Sequence, residues 1–365
     1  MPRVRKGSAV SPEGSAPGPQ YGRARARAID RRLPERRSVA ITGAASFLGR
    51  NLVGLLEEDP SIGRVVVLDV TTPRTAGKKT RSYRIDLTDP SAAVRVAETL
   101  HAEKVDTVVH LAFLALPTAA EGWAHELESV GTMHVAHACR DAGVKRVVHG
   151  SSTLLYGPHP SNPNFLAEDR PLRGMPGCRF LADKIEAERE MHELASDRPE
   201  TNVVTLRFAP ILGTTVTSWV TRWLTRRLVP VMLGYDPLVQ VLHEVDAVSA
   251  LRMALDVEGA SGAYNIVGDG VLPISTLATL AGRTPIPLPR PLLRAGTSAL
   301  WTVGLNEAPV FFIDFLRYLC VADGEKAARE LGWRAAYTAR EAVLDFGGAL
   351  RLREARLLGE THGAR

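Results

Sequence analysis

From Ser38 onward the chain alternates short β-branched runs with stretches of helical periodicity, and this alternation constrains the fold more than any other feature. Strand patterns stand at Val39–Thr42, Arg64–Asp69, Ser82–Ile85, Val105–Leu111, Val144–Gly150 and Asn202–Arg207. Helical patterns run between them, around Leu48–Glu58, Ser91–His101, Ala119–Ala142 and Phe180–Ala195. Parallel strands cannot be joined by tight hairpins, so helices of this length are the crossovers that a parallel sheet needs. Six strands with such crossovers predict an α/β fold, a doubly wound parallel sheet over residues 38–208.

Beyond Arg207 the pattern loosens into a helix near Thr217–Arg227, short apolar segments at Val229–Leu233 and Gln240–Leu242, a helix near Ala247–Leu255 and a strand at Ala263–Val267. Pro285, Pro287, Pro289 and Pro291 alternate, which predicts an extended connection rather than a helix, and the last helices are expected from about Ala308. Residues 209–365 are therefore expected to form mainly a smaller substrate-binding region that partly returns to the sheet.

The formal charge of +5 suggests an anionic partner until it is divided along the chain. Residues 1–37 hold 10 Lys/Arg against 3 acids, which leaves 35 bases against 37 acids in the remainder. Eleven of the first 22 residues are Gly, Pro or Ser, so 1–37 reads as a disordered basic tail. A solvated arm explains such letters as well as an anion-binding one, and nucleic acid is not an expected partner. No apolar signal region is present, which argues against export. Cys139, Cys178 and Cys320 lie far apart without a CxxC pattern, so no disulfide framework or zinc ribbon is expected and a reducing cytoplasm fits best. The apolar stretch Ala295–Asn306 has 12 residues, short of the roughly 18 a membrane span needs.

The first strand pattern ends in Thr42-Gly43-Ala44-Ala45-Ser46-Phe47-Leu48-Gly49 and runs into a helix. Glycines there permit a tight turn and close backbone approach to a pyrophosphate, whose charge is stabilised at the helix N-terminus. Asp69 closes the second strand 20 residues past Gly49. An acid at that place accepts hydrogen bonds from an adenosine ribose and repels a 2′-phosphate, which favours NAD over NADP.

These features, with Asp86-Leu87 after the third strand, His110-Leu111-Ala112 ending the fourth, Ser151-Ser152-Thr153-Leu154-Leu155-Tyr156-Gly157 ending the fifth, Lys184, and the later Ala263-Tyr264-Asn265-Ile266-Val267-Gly268, stand in an order that resembles the extended short-chain dehydrogenase/reductases. This is the NAD-dependent epimerase/dehydratase family, and the resemblance covers nearly all of residues 38–350. It implies a Rossmann-type core with NAD as cofactor. Gly43, Ser46, Phe47, Leu48 and Gly49 would form the pyrophosphate turn, with the backbone N–H groups of Phe47 and Leu48 as donors. Asp86 would bind the adenine amino group, and Leu87, Leu111 and Ala112 would lie on the cofactor side, Leu87 and Ala112 lining adenine and ribose. Ser151 would face the nicotinamide, Lys184 would hold the nicotinamide ribose, and Ser152 would orient the substrate hydroxyl. The resemblance also implies a homodimer paired through the helices at Ala119–Ala142 and Phe180–Ala195.

Three positions depart from the family pattern. Ser46 replaces the middle glycine of the turn, and Glu128 stands where the family carries a structural Asn, three residues before Gly131-Thr132. Phe180 occupies the place four residues before Lys184 where the family uses Tyr, whose phenol pKa the lysine charge lowers for proton transfer. No Tyr-x-x-x-Lys occurs anywhere in the chain. Phenylalanine has no proton to exchange, a function worth on the order of 10²–10⁴ in rate. Candidate substitutes are Tyr156, His149, His159, Cys178 and Asp183, with Tyr156 taken with Ser152 and Lys184 as the catalytic set. Each also has a structural reading, since the resemblance gives Tyr156 the place of a structural tyrosine, His149 sits inside a strand, His159 lies in a loop, and Cys178 and Asp183 read equally as surface groups.

Weaker constellations carry less. His134 and His137 share a helix face near Cys139, but packing and solvent exposure explain them and no metal is expected. The Gly-x-Ser-x-Gly elbow of a serine hydrolase is absent around Ser152. The sequence thus predicts an NAD-dependent oxidoreductase or epimerase/dehydratase acting on a secondary alcohol, such as a nucleotide sugar or sterol-like molecule, with a non-standard acid/base. Its alternative is a catalytically inactive NAD-binding sensor or scaffold. Arg222, Arg226 and Arg227 could face a substrate diphosphate or form a solvated face.

Overall fold

The run at Arg37–Thr42 forms the inner strand β1, buried over almost its whole length around the apolar centre Val39–Ile41. The computed structural model describes residues 37–302 and 310–362, so residues 1–36 of the expected basic tail and the expected helix start at Ala308 lie outside the described residues, whereas Arg37, expected in the tail, opens β1. The chain continues as helix α1 (Phe47–Glu58), β2 (Ile62–Asp69), β3 (Thr80–Arg84), α2 (Ala92–Ala102) and β4 (Thr107–His110). There follow α3 (Glu121–His125), a π-helical turn at Glu126–Val130, α4 (Gly131–Ala142), β5 (Arg146–Ser152), α5 (Arg179–Asp197) and β6 (Asn202–Phe208). After α6 (Trp219–Thr225) and α7 (Glu244–Asp256), strand β7 (Gly262–Ile266) returns to the sheet.

The sheet order is β7-β6-β5-β4-β1-β2-β3, and every neighbouring pair is parallel. The order reverses between β1 and β4, so the carboxyl ends of these strands flank the crevice where doubly wound sheets bind ligands. One face of the sheet packs on α1 and α7 through Val39, Ile41, Leu52, Leu56 and Leu251. The other packs on α2, α4 and α5 through Val66, Leu100, Val135 and Met191.

The stretch expected as a single helix over Ala119–Ala142 is α3, the π turn and α4 in succession. The proline-rich stretch is also more regular than an extended connection. Thr284–Leu288 is a strand paired in parallel with Leu228–Met232. In a strand, alternate N–H groups face the neighbour, so Pro285 and Pro287 fall at positions that need no donor while Thr284 donates to Arg227 O. Pro291 then sits in the first turn of the helix Arg290–Thr302, where a missing N–H costs nothing. Among the described residues no helix is long and apolar enough to cross a membrane.

Candidate active site

The turn between β1 and α1 is a cradle shaped by two glycines. Gly43 has φ +64°, and a Cβ there would lie 2.3 Å from the carbonyl oxygen of Leu111; one on Gly49 would lie 2.3 Å from the Gly43 carbonyl oxygen. No side chain fits either place, so the backbone itself forms the floor. Ser46 caps α1, its hydroxyl accepting from Gly49 N at 3.1 Å, and so replaces the expected middle glycine with a helix cap. Phe47 and Leu48 open the helix, where backbone N–H groups have no intrahelical acceptor. Asp69 ends β2 beside this turn, held there by the N–H groups of Ala45 (3.0 Å) and Thr71 (3.1 Å). Asp86 is exposed and accepts from the backbone N–H and hydroxyl of Thr88. Leu87 and Leu111 are buried, and Ala112 is half-buried. A floor without side chains, helix N–H groups and an acid at the end of β2 are the parts that hold the pyrophosphate and ribose of a dinucleotide.

A cavity of about 300 Å³ continues from Ser46, Phe47 and Leu48 across the carboxyl ends of β5 and β6. Ser152 lines it and caps the 3₁₀ turn Thr153–Tyr156, accepting from Leu154 N at 3.2 Å. Ser151 lines it too, but its hydroxyl donates to Glu188 at 2.7 Å. Lys184 is buried, and its Nζ donates to Glu128 Oε1 at 2.8 Å. The same Nζ lies 4.9 Å from the ring centre of Phe113 and 4.8 Å from that of Phe180. The ammonium is thereby flanked by two aromatic faces and neutralised by one buried carboxylate.

The candidates for the missing phenol separate cleanly. Tyr156, taken from the sequence as catalytic, does not line the cavity. It is fully buried behind the site, donating to Asn265 Oδ1 (2.8 Å) and accepting from Arg207 (2.7 Å), and burial raises its phenol pKa. Its hydroxyl joins β5, β6 and β7 rather than facing a substrate. Cys178 is buried outside the cavity lining, its thiol pushed up to about 11 by burial. Asp183 is also off the lining and pairs with His125 at 2.9 Å. His159 is exposed and bonded to Ser161. His149 does line the cavity, stacked on His110 with ring centres 5.5 Å apart. Burial first, and the Lys184 charge second, push its imidazole down to about 3, so it stays neutral.

Glu128 is the residue that sequence reasoning noted only as a departure. It lies in the π turn, where Gly131 N donates to Glu126 O five residues back, and it lines the cavity beside Lys184. Burial raises its carboxyl pKa, and Lys184 acts in the opposite direction. Its contact with Lys184 spans 56 residues and is made from within the π turn, which periodicity does not reveal. The helix residues His134, His137 and Cys139 do not converge: His134 pairs with the Leu87 carbonyl, His137 is exposed, and burial pushes the Cys139 thiol up to about 12.

The model of the NAD dependent epimerase/dehydratase family matches residues 39–267. The chain belongs to that family. An uncharacterised Mycobacterium tuberculosis protein, Rv0501, is 33% identical over 316 residues, covering 84% of this chain and 82% of its own. A 3-diazoavenalumate denitrifying reductase from a Streptomyces species is 26% identical, covering 81% and 95%. Among solved structures, MoeE5 in complex with UDP-glucuronic acid and NAD superposes with a TM-score of 0.67 at 24% identity, covering 87% of this chain and 99% of that one. The UDP-glucose 4-epimerase of Thermotoga maritima superposes with a TM-score of 0.67 at 17% identity over the same shares. As an epimerase/dehydratase family member, the protein uses NAD, and the side-chain-free floor of the turn between β1 and α1 has the shape to take it.

Proposed function

We propose that this family member is an NAD-dependent oxidoreductase or epimerase acting on a secondary alcohol within an anionic, nucleotide-bearing molecule such as a nucleoside diphosphate sugar. The observation that carries this reading is a second cavity, of about 1030 Å³, whose described lining includes Arg353 and Arg356. Guanidinium groups suit phosphates because they donate in a planar fork. Trp219 and Trp223 lie in the same wall. The two cavities share Thr215, Val216, Thr217 and Trp219, so a molecule whose phosphates lie among the arginines extends its sugar toward Ser152 and Lys184.

NAD supplies a hydride acceptor when bound. Ser152 orients the reacting hydroxyl, Lys184 holds the nicotinamide ribose, and the Gly43–Gly49 turn with Asp69 holds the other end, with Asp86, Leu87 and Ala112 around the adenine and ribose. Phe113 and Phe180 exclude water from the ammonium, which strengthens its interactions. The solved relatives with UDP-glucose and UDP-glucuronic acid support the substrate class. The protein is read as a homodimer pairing α3–α4 and α5, in a reducing cytoplasm where its three free cysteines persist.

Binding of UDP-glucose and UDP-glucuronic acid to the NAD-loaded protein tests this reading, with Arg353→Glu/Arg356→Glu as the control. Micromolar binding lost in the double variant supports it. Equal binding by the variant, or turnover of neutral alcohols alone, overturns the nucleotide-sugar assignment. NAD binding with no turnover of any alcohol favours the sensor or scaffold instead.

A further inference from the structure

We propose that Glu128 holds the reaction's proton, exchanging it with the substrate through the ammonium of Lys184, in place of the phenol that Phe180 lacks. This rests on the oxidoreductase reading above and adds to it the group that replaces the tyrosine. Glu128 Oε1 accepts from Lys184 Nζ at 2.8 Å and from the backbone N–H of Leu114. The second carboxylate oxygen has no hydrogen-bond partner among the described residues. The residue is 3% exposed, yet it lines the same cavity as Ser152, Phe180 and Lys184.

The local backbone is built for this contact. A π turn inserts one residue into the helix at some cost in regularity, and such turns occur often at functional sites. Here it spans Glu126–Val130 and carries Glu128 against Lys184. The two departures from the family pattern are also physically paired: the phenol is lost on α5, and a carboxylate is gained within hydrogen-bond distance of the lysine that the phenol would have used.

The groups facing Glu128 are Lys184 and Asp183 from α5, and the Leu114 backbone from the segment after β4; His149 on β5 faces the Lys184 ammonium. Burial and Asp183 favour the neutral acid, whereas Lys184 and Leu114 favour the carboxylate. Burial is the largest of these effects, so the carboxyl is held above its ordinary range with Lys184 opposing. In the oxidative direction the substrate O–H bond breaks and its proton passes to Lys184 Nζ while an Nζ–H proton passes to Glu128 Oε1. The substrate's C–H bond breaks, its electron pair leaving as hydride to NAD⁺, and a carbonyl forms. Reduction runs the same transfers backwards.

The test is Glu128→Gln in the full chain, which keeps size and hydrogen-bonding oxygen but cannot take a proton. With NAD⁺ and a turned-over alcohol, kcat should fall about 10²–10⁴-fold while NAD⁺ affinity by calorimetry changes only a few-fold. The acidic limb of the wild-type kcat profile should disappear in the variant and coincide with the Glu128 carboxyl titration followed by carbon NMR, above its ordinary value of 4.5. Glu128→Asp should keep the limb, and Phe180→Tyr added to Glu128→Gln should recover about tenfold of the rate lost. Wild-type kcat and profile in Glu128→Gln, or a carboxyl titrating at or below 4.5, overturns the proposal and leaves the oxidoreductase reading standing. A wild type that binds NAD⁺ and turns over no alcohol overturns both.

Discussion

At the scale of single residues, the hydroxyl of Tyr156 is bonded into the core while the carboxylate of Glu128 lines the cavity beside Lys184. In the sequence Tyr156 is a candidate for the missing phenol although its place matches a tyrosine that is structural in the family, and its partners are Asn265 and Arg207 in the core. Tyr156→Phe leaves a buried guanidinium N–H and an amide oxygen short of a partner, which costs about 1–3 kcal/mol. Thermal unfolding should show that loss while NAD affinity stays within a few-fold of wild type; unchanged stability with lost turnover would return Tyr156 to the site. Asp69 and the glycines of the turn were legible because their requirement is local, a floor without side chains and an acid at a strand end. The Glu128–Lys184 pair was not, because 56 residues separate its members and only the tertiary fold brings them together.

At the scale of elements, the parallel register of β4 and β5 sets His110 opposite His149 and stacks their rings. Both are buried, and both imidazoles are pushed down by desolvation, His149 to about 3 and His110 well below 6.5. Unfolding releases them to titrate normally, so below pH ~6.5 the unfolded chain binds more protons than the folded one and stability falls as pH falls. For His149 the loss accumulates between 6.5 and about 3. Thermal melts across that window should show this acid sensitivity, and His149→Phe should flatten it; a variant with the wild-type slope would contradict the buried neutral imidazole. The sheet strands and α1, α2 and α5 were legible because each is a long run of one period, whereas the break at Glu126–Val130 and the strand at Thr284–Leu288 were not. A π turn leaves no mark on apolar spacing, and alternating prolines become a strand only when a partner lies on the side that needs no donor.

For the whole molecule, β7 closes the sheet after more than 50 intervening residues that build the wall of the arginine-lined cavity. The carboxyl ends of the sheet, the glycine turn and that wall enclose two joined cavities, an arrangement suited to one redox cofactor and one extended anionic substrate. Sedimentation of the purified protein should give a dimer, and a monomer at micromolar concentration would remove the pairing of α3–α4 and α5. The assignment of the site depends first on the cofactor, and calorimetric titration with NAD⁺, NADH and NADP⁺, after removal of any carried-over nucleotide, tests that most directly. The account predicts micromolar binding of NAD⁺ and NADH, weaker binding of NADP⁺, and about a tenfold loss of NAD⁺ affinity in Asp69→Ala, equivalent to about 1.4 kcal/mol. Absence of binding by any dinucleotide, or NADP⁺ bound more tightly than NAD⁺, would contradict it.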